Sequence, residues 1–422
     1  MKRSAAAKPT LTPKLRFPEF RDAEGWEEKP IGEEVDLLSG YPFDGPDITQ
    51  DTSGIRLLRG INITEGHVRH DPEIDRYYLK PADNLAKFRV QVGDLVIGMD
   101  GSKVGKNSAL ISESDGGALL VQRVARLRST RPITISFIFQ HINSLAFHDY
   151  VDRINTSSGI PHISAKQIRE FRIRFPSQGE QHRIASCLSS LDDLIGAERQ
   201  KLAALKTHKQ GLVQHLFPRE GETRPRLRFP EFRNAPTWET RHLDNFIEEF
   251  RKQSTTQDEY EVLTSARNGL VRQKDYYDND RITERDNVGF NVIPPNYVTY
   301  RSRSDDRLFY FNENCLGITG IVSIYYPVFR VINGSNKFFI ELLSVFSGLV
   351  GKYSVGTSQT VLSLNQLGRI KLPVPTEKEQ HRIATCLSAL DDLIAAQSHK
   401  LEALKTHKKG LMQQLFPAPE EV

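Results

Sequence analysis

Two stretches of nearly forty residues carry apolar side chains on a seven-residue repeat. In the first, Ile184, Leu188, Leu191, Ile195, Leu202, Leu205, Leu212 and Leu216 follow one another at steps of 4, 3, 4, 7, 3, 7 and 4, and Ile383, Leu387, Leu390, Ile394, Leu401, Leu404, Leu411 and Leu415 repeat those steps in the second. A 3.5-residue period held over about five heptads predicts a coiled-coil seam, since a helix lying on a globular core follows 3.6 instead. Ser177 with Glu180, and Thr376 with Glu379, read as S/T-x-x-E capping boxes, while Pro218 and Pro417 stop the helices. Each is then roughly 60 Å long. The positions skipped by the seam hold Glu198 and Lys209 in one helix and Gln397 and Lys408 in the other, polar residues suited to setting register. An antiparallel pairing sets Leu202 against Leu404, Leu205 against Leu401, Ile195 against Leu411, Leu212 against Ile394 and Glu198 against Lys408.

Elsewhere the pattern is that of short strands between turns. Residues 93–101 (GDLVIGMDG), 118–128 (ALLVQRVARLR) and 171–176 (FRIRFP) alternate or run apolar, as do 298–304, 323–332 and 369–375. Helical spacing is visible over 134–151 and 337–349. Both regions therefore read as mixed α/β (α+β) modules, each followed by one of the long helices.

Self-similarity organises these pieces. Residues 180–218 return at 379–417 with 29 of 39 positions identical, and LRFPEFRDAEGW (15–26) returns as LRFPEFRNAPTW (227–238). The chain is a tandem duplication in which near-identical frames enclose dissimilar material. The boundaries follow: a basic tail at 1–22, a first module at 23–176, a spacer helix at 177–218, a linker at 219–234, a second module at 235–375, a second spacer helix at 376–417 and a short tail at 418–422.

Composition narrows the class. With 38% hydrophobic and 26% charged residues in 422, the chain is expected to be globular, with room for two or three cores. The most apolar stretch, around 338–350, is interrupted by Glu341 and is too short for a membrane span. No apolar core follows the basic start, so no secretory signal is expected and a cytoplasmic location is predicted. Cys187, Cys315 and Cys386 lack CxxC spacing and read as reduced thiols, with no metal site. The net charge of +4 equals the excess in the first 22 residues, six basic against two acidic, leaving the body nearly neutral.

Candidate chemistry lies on the predicted loops: Arg59 and Asn62, Lys103, Lys106 and Asn107, Ser157 and His162, Arg301, Arg303 and Ser304, and Gln359. These residue types hydrogen-bond base edges and phosphates. GSKVGKNS at 101–108 is one residue short of a phosphate-binding GxxxxGK[ST] loop, and Asn107 replaces its Ser/Thr. IPPNY at 293–297 has Ile293 where an amino-methyltransferase needs Asn. The pairs Asp192–Asp193 and Asp391–Asp392 sit on the long helices and read as a solvated or interface face. A binding protein without a catalytic residue is expected.

The repeated LRFPEF…W, the GDLVIGMDGS turn, SSGIPHIS before a strand and the duplicated FPS…EQHRIASCLSSLDDLI helix resemble the specificity subunit of type I restriction-modification systems across nearly the whole chain. That resemblance implies two target recognition domains reading the halves of a bipartite, asymmetric site in double-stranded DNA. It implies long helices pairing antiparallel, with pseudo-twofold symmetry, as a spacer. The seam then comprises Leu188, Leu191, Ile195, Glu198, Leu202, Leu205, Leu212, Leu387, Leu390, Ile394, Leu401, Leu404, Lys408 and Leu411. It further implies two methylation subunits using AdoMet and two motor-nuclease subunits using ATP and Mg, with no cofactor on this chain and no membrane. Two other readings stand beside it: a coiled-coil scaffold that assembles methylation subunits without reading DNA, and a divergent DNA methyltransferase.

Overall fold

The computed structural model describes residues 12–129, 131–155, 159–267, 269–276, 286–357 and 359–417. The chain divides into two compact units: residues up to Arg199 together with those from His399 onward, and Gln200–Ser398. Each unit therefore holds one module, half of one long helix and the opposite half of the other. Among the described residues, no helix is long and apolar enough to cross a membrane.

The long helices run Gln178–Leu216 and Glu377–Leu415. Their outer ends are not seam alone. In the first unit Ile184, Ala185 and Leu188 join Met412, Leu415 and Phe416 in one apolar core with the module's Trp26, Phe137 and Ile173. In the second, Leu216 and Phe217 join Ile383, Ala384 and Leu387 around Trp238, Phe338 and Leu372. Each core thus draws on both helices, which explains why heptad positions near the ends are fully buried.

Within each unit the helices pair antiparallel, but the register differs from the one expected. Lys408 donates to Asp192 at 2.6 and 2.7 Å, six residues before the anticipated Glu198, and Glu198 accepts from Lys400 at 2.5 Å. In the second unit Lys209 meets Asp391 at 2.7 Å. A heptad fixes which face is shared and leaves axial offset to the polar residues; here the first aspartate of each Asp-Asp pair decides it. Of the two faces expected for these aspartates, solvated or interface, Asp192 and Asp391 take the second, as the seam's ion-pair partners.

The expected capping boxes also resolve differently. The Glu180 N–H donates to the Ser177 hydroxyl oxygen at 3.4 Å, but the Glu180 carboxylate accepts from Arg16, as that of Glu379 accepts from Arg228. The repeated LRFPEF segment is thereby clamped to the start of the long helix in both units.

The modules share a plan. In the first, an antiparallel sheet of order Asp36–Ser39, Val124–Arg128, Leu95–Gly98, Ser108–Leu110 accompanies a second sheet in which Ile55–Leu58 and Leu119–Leu120 run parallel. The second module orders Ile247–Glu249, Val328–Val331, Val298–Tyr300, Phe311–Glu313 likewise, and its parallel pair is Glu261–Ala266 with Gly320–Val322. A two-stranded ribbon leads into each helix: Glu27–Pro30 with Arg172–Phe175, and Glu239–His242 with Lys371–Val374. Four sequence expectations need correction: 298–304 is two strands, Val298–Tyr300 and Arg303–Ser304, in different sheets, and 337–349 spans two helices, Asn336–Val345 and Ser347–Lys352. The run 118–128 is two strands, because Arg123 turns the chain with φ of 69°, and 134–151 is two helices, Pro132–Ile142 and Leu145–Ile154, the second restarted by a Ser144 cap.

Candidate nucleic-acid interface

In the first unit the loop following Leu95–Gly98 carries Lys103, Lys106 and Asn107. Gly101 and Gly105 adopt φ of 99° and 72°, the left-handed region open to glycine, and the loop closes through Asn107 N–H to the Lys103 carbonyl at 3.1 Å. It runs on into the strand Ser108–Leu110. A phosphate-binding GxxxxGK loop must open a helix to aim its amides, so the resemblance to one ends there.

Lys103 pairs with Glu65 at 2.9 Å, and this hydrogen bond holds the Glu65 carboxyl below its ordinary range. Lys106 reaches Asp152 at 3.4 Å. Lys103 and Asn107 share an open depression of about 480 Å³ with Thr64, Glu65, His67 and Arg69, and with Arg199 and Lys405 from the long helices. Four cations face one carboxylate there, a balance that attracts polyanions.

Other expected residues divide into presented and internal ones. Arg59 spends a guanidinium N–H on the Ile74 carbonyl at 2.5 Å, and burial beside Arg76 lowers its pKa. Asn62 has no exposed surface and donates to the Asp75 carboxylate and the Arg69 carbonyl, so it braces its loop from inside. Ser304 is also buried, donating to Asp306 at 2.7 Å. These two corrections share a cause: Asn and Ser are as apt for bracing turns as for meeting a ligand. Arg301 is exposed, Arg303 lies over the ring of Tyr325 with 3.8 Å between guanidinium carbon and ring centre, and Gln359 approaches Asp305 at 3.4 Å. His162 contacts Asp100 through Nδ1 and is half exposed. Ser157 lies outside the described residues.

The structure brings Arg303, Ser304 and Gln359 to one edge, where Arg303–Ser304 pairs with Thr360–Val361. It likewise brings His162 to Asp100, beside the Lys103 loop. Sequence reasoning missed Asp100, Arg123 and Tyr325, which flank the same positions. Their signal was the strand-to-turn spacing in each module, legible only once the pairing partners are known. Among the described residues, no group of acidic, histidine or cysteine side chains is arranged to hold a metal.

The type I restriction modification DNA specificity domain matches this chain over residues 63–207 and 237–406, one copy in each half. The chain belongs to that family. It is 32% identical over 197 residues, 45% of its length, to the type I restriction enzyme EcoAI specificity subunit of Escherichia coli. It is 26% identical over 289 residues, 61% of its length, to the type I restriction enzyme MjaVIII specificity subunit of Methanocaldococcus jannaschii. The matches span 32% and 64% of those relatives. In fold it is similar to the S subunit of a type I restriction-modification system from M. genitalium, with a TM-score of 0.60 at 17% identity, covering 97% of this chain and all of that one. Specificity subunits are the non-catalytic members of such systems.

Proposed function

We propose that this chain is the sequence-reading subunit of a type I restriction-modification complex. Its modules, residues 23–176 and 235–375, each read one half of a bipartite, asymmetric DNA site, and its frame carries the methylation and motor-nuclease subunits. AdoMet, ATP and Mg belong to those partners. The observation that carries the reading is the contrast between frame and loops. The Arg–Glu clamp, the aromatic cluster and the lysine–aspartate seam recur in both units, whereas the loops differ residue by residue. A duplicated frame with unlike loops suits two unlike words read by one chain.

The test is to co-express the chain with its cognate methylation subunits and map modified adenines across the host genome. A single bipartite motif, altered in one half only when residues 27–179 are exchanged for those of another member, is the expected result. An assembled complex that leaves no methylated motif would instead favour a scaffold that does not read DNA.

A further inference from the structure

The two modules place chemically different pairs of side chains on one and the same backbone position. Leu95 pairs with Leu127 and Val298 with Phe329, which sets the two central strands in register. Five residues on from these lie Asp100 and Arg303; four residues before the partners lie Arg123 and Tyr325. The main chain repeats at these points. Met99 N–H donates to the Arg123 carbonyl at 2.9 Å, and Ser302 N–H to the Tyr325 carbonyl at 3.1 Å. Ile163 N–H donates to Met99 and Leu362 N–H to Ser302, both at 2.9 Å. Asp100 bridges His162, as Arg303 pairs with Val361.

On this shared backbone the side chains have exchanged roles. In the first module Arg123 reaches Asp100 at 2.9 Å, and the other oxygen of that carboxylate meets His162. In the second, Arg303 supplies the cation from the opposite position and lies on the face of Tyr325. The fold does not depend on the ion pair of the first module: the Arg123 side chain is 68% exposed, and an ion pair this open contributes little to stability. Arg123 nevertheless keeps a left-handed backbone that a bulky side chain rarely adopts, a cost that tends to mark functional positions.

We infer that these two positions determine sequence specificity, and that Arg303 held by Tyr325 reads a guanine in the half-site of the second module; the inference rests on the DNA-reading function proposed above. Stacking occupies the face of the guanidinium and leaves its edge aligned. Among the described residues, no carboxylate or carbonyl takes a hydrogen bond from that edge. A free, oriented guanidinium fork matches the O6 and N7 acceptors of guanine in the major groove. In the first module the Asp100 carboxylate holds Arg123 with one oxygen and meets His162 with the other, so the equivalent base is read by a different pattern.

The test is methylome mapping of complexes assembled with the cognate methylation subunits, comparing wild type with R303A, R303K, Y325F and R123A. R303A is expected to leave methylation in place and to relax one guanine of one half-site, with roughly tenfold or greater loss of discrimination. R303K, which keeps the charge and loses the fork, relaxes the same base, Y325F keeps the word, and R123A relaxes a position in the other half only. An unaltered word in R303K, or equal relaxation of both halves in R303A, overturns the inference, and R303K decides the matter should R303A fail to assemble. A wild-type complex with no word at all would sink the recognition reading rather than the assignment of these residues.

Discussion

Arg228 holds Glu379 through two parallel hydrogen bonds, Nε to Oε1 at 2.8 Å and an η nitrogen to Oε2 at 2.6 Å, in a site that leaves both side chains at most 5% exposed. The remaining η nitrogen donates to the carbonyls of Ala235 and Pro236. Arg16 holds Glu180 in the same way, its other η nitrogen donating to the Ala23 carbonyl and the one on Glu180 donating also to that of Glu24. One guanidinium thus ties the opening segment, the turn before the tryptophan and the helix start into a single joint. Around it, Arg382 stacks on Phe229 and pairs with Glu231, as Arg183 does with Phe17 and Glu19.

Removing one partner of so enclosed a pair strands the other charge. Glu379→Ala is expected to destabilise the second unit by about 3–5 kcal/mol, and replacing Arg228 and Glu379 together by Met to recover much of that loss. Urea denaturation of the three proteins checks it. A loss below about 1 kcal/mol for Glu379→Ala would show the joint to be ornamental.

His141 gives the first unit a pH dependence. It is buried, stacked on Phe416 with ring centres 4.0 Å apart, and burial pushes its pKa down to about 3 from the ordinary 6.5. Between those values the unfolded chain binds a proton that the folded one refuses, so stability falls as pH drops below 6.5 and goes on falling toward 3. At pH 5 the loss is about 2 kcal/mol. Its Nε2 has no hydrogen-bond partner among the described residues, and the second unit uses a Phe217–Phe338 stack. His141→Phe is therefore expected to flatten the stability profile between pH 7 and 5, measured by denaturant titration at each pH. An unchanged slope would refute the assignment.

Gly40 marks a close approach of main chains. A Cβ there would sit 2.2 Å from the Val121 carbonyl oxygen and 2.7 Å from that of Leu120. These atoms accept from Tyr41 or belong to the turn at Arg123, so they have no room to yield. Gly40→Ala is expected to cost more than about 2 kcal/mol in thermal denaturation, whereas Gly45→Ala, facing open space, leaves stability nearly unchanged.

What the sequence made legible, and what it hid, follow the range of the interactions. The long helices were readable because heptad spacing and proline stops are local signals, and strands such as Leu95–Gly98, Val124–Arg128, Arg172–Phe175, Val328–Val331 and Lys371–Val374 were readable as short apolar runs. Axial register was not, since it depends on which carboxylate Lys408 and Lys209 find across the seam. The destination of Glu180 was hidden for the same reason: a local motif predicted a reach back to its own cap, and a residue 164 positions away claimed it. At the candidate interface, residue type nominated Lys103, Arg303 and Gln359 on the same footing as Asn62 and Ser304, which the structure buries, and gave no sign of Tyr325, which stands where Arg123 stands in the other module.

Lys103 pairs with Glu65 and Lys106 with Asp152, and under the DNA-reading function proposed above a phosphate takes the place of each carboxylate. Changing both to Ala in the complex with its methylation subunits is expected to weaken DNA binding uniformly across sequences. The dependence of log affinity on log salt should become shallower by about one to two. Titrations at several salt concentrations check it; an unchanged slope would remove this loop from the backbone contacts.

The Leu227 N–H donates to the His215 carbonyl at 2.9 Å, and the Leu15 N–H to the Gln414 carbonyl at the same distance. The first contact joins neighbours linked by a short loop; the second joins residues with the rest of the sequence between them. One joint is therefore sewn and the other merely buttoned, with Phe416 set against Phe137 as the button. Order along the chain and order in space are separable in this molecule. Cutting the loop between His215 and Leu227 would turn a sewn joint into a second buttoned one and leave two fragments holding each other by contacts the intact chain already makes once without a thread.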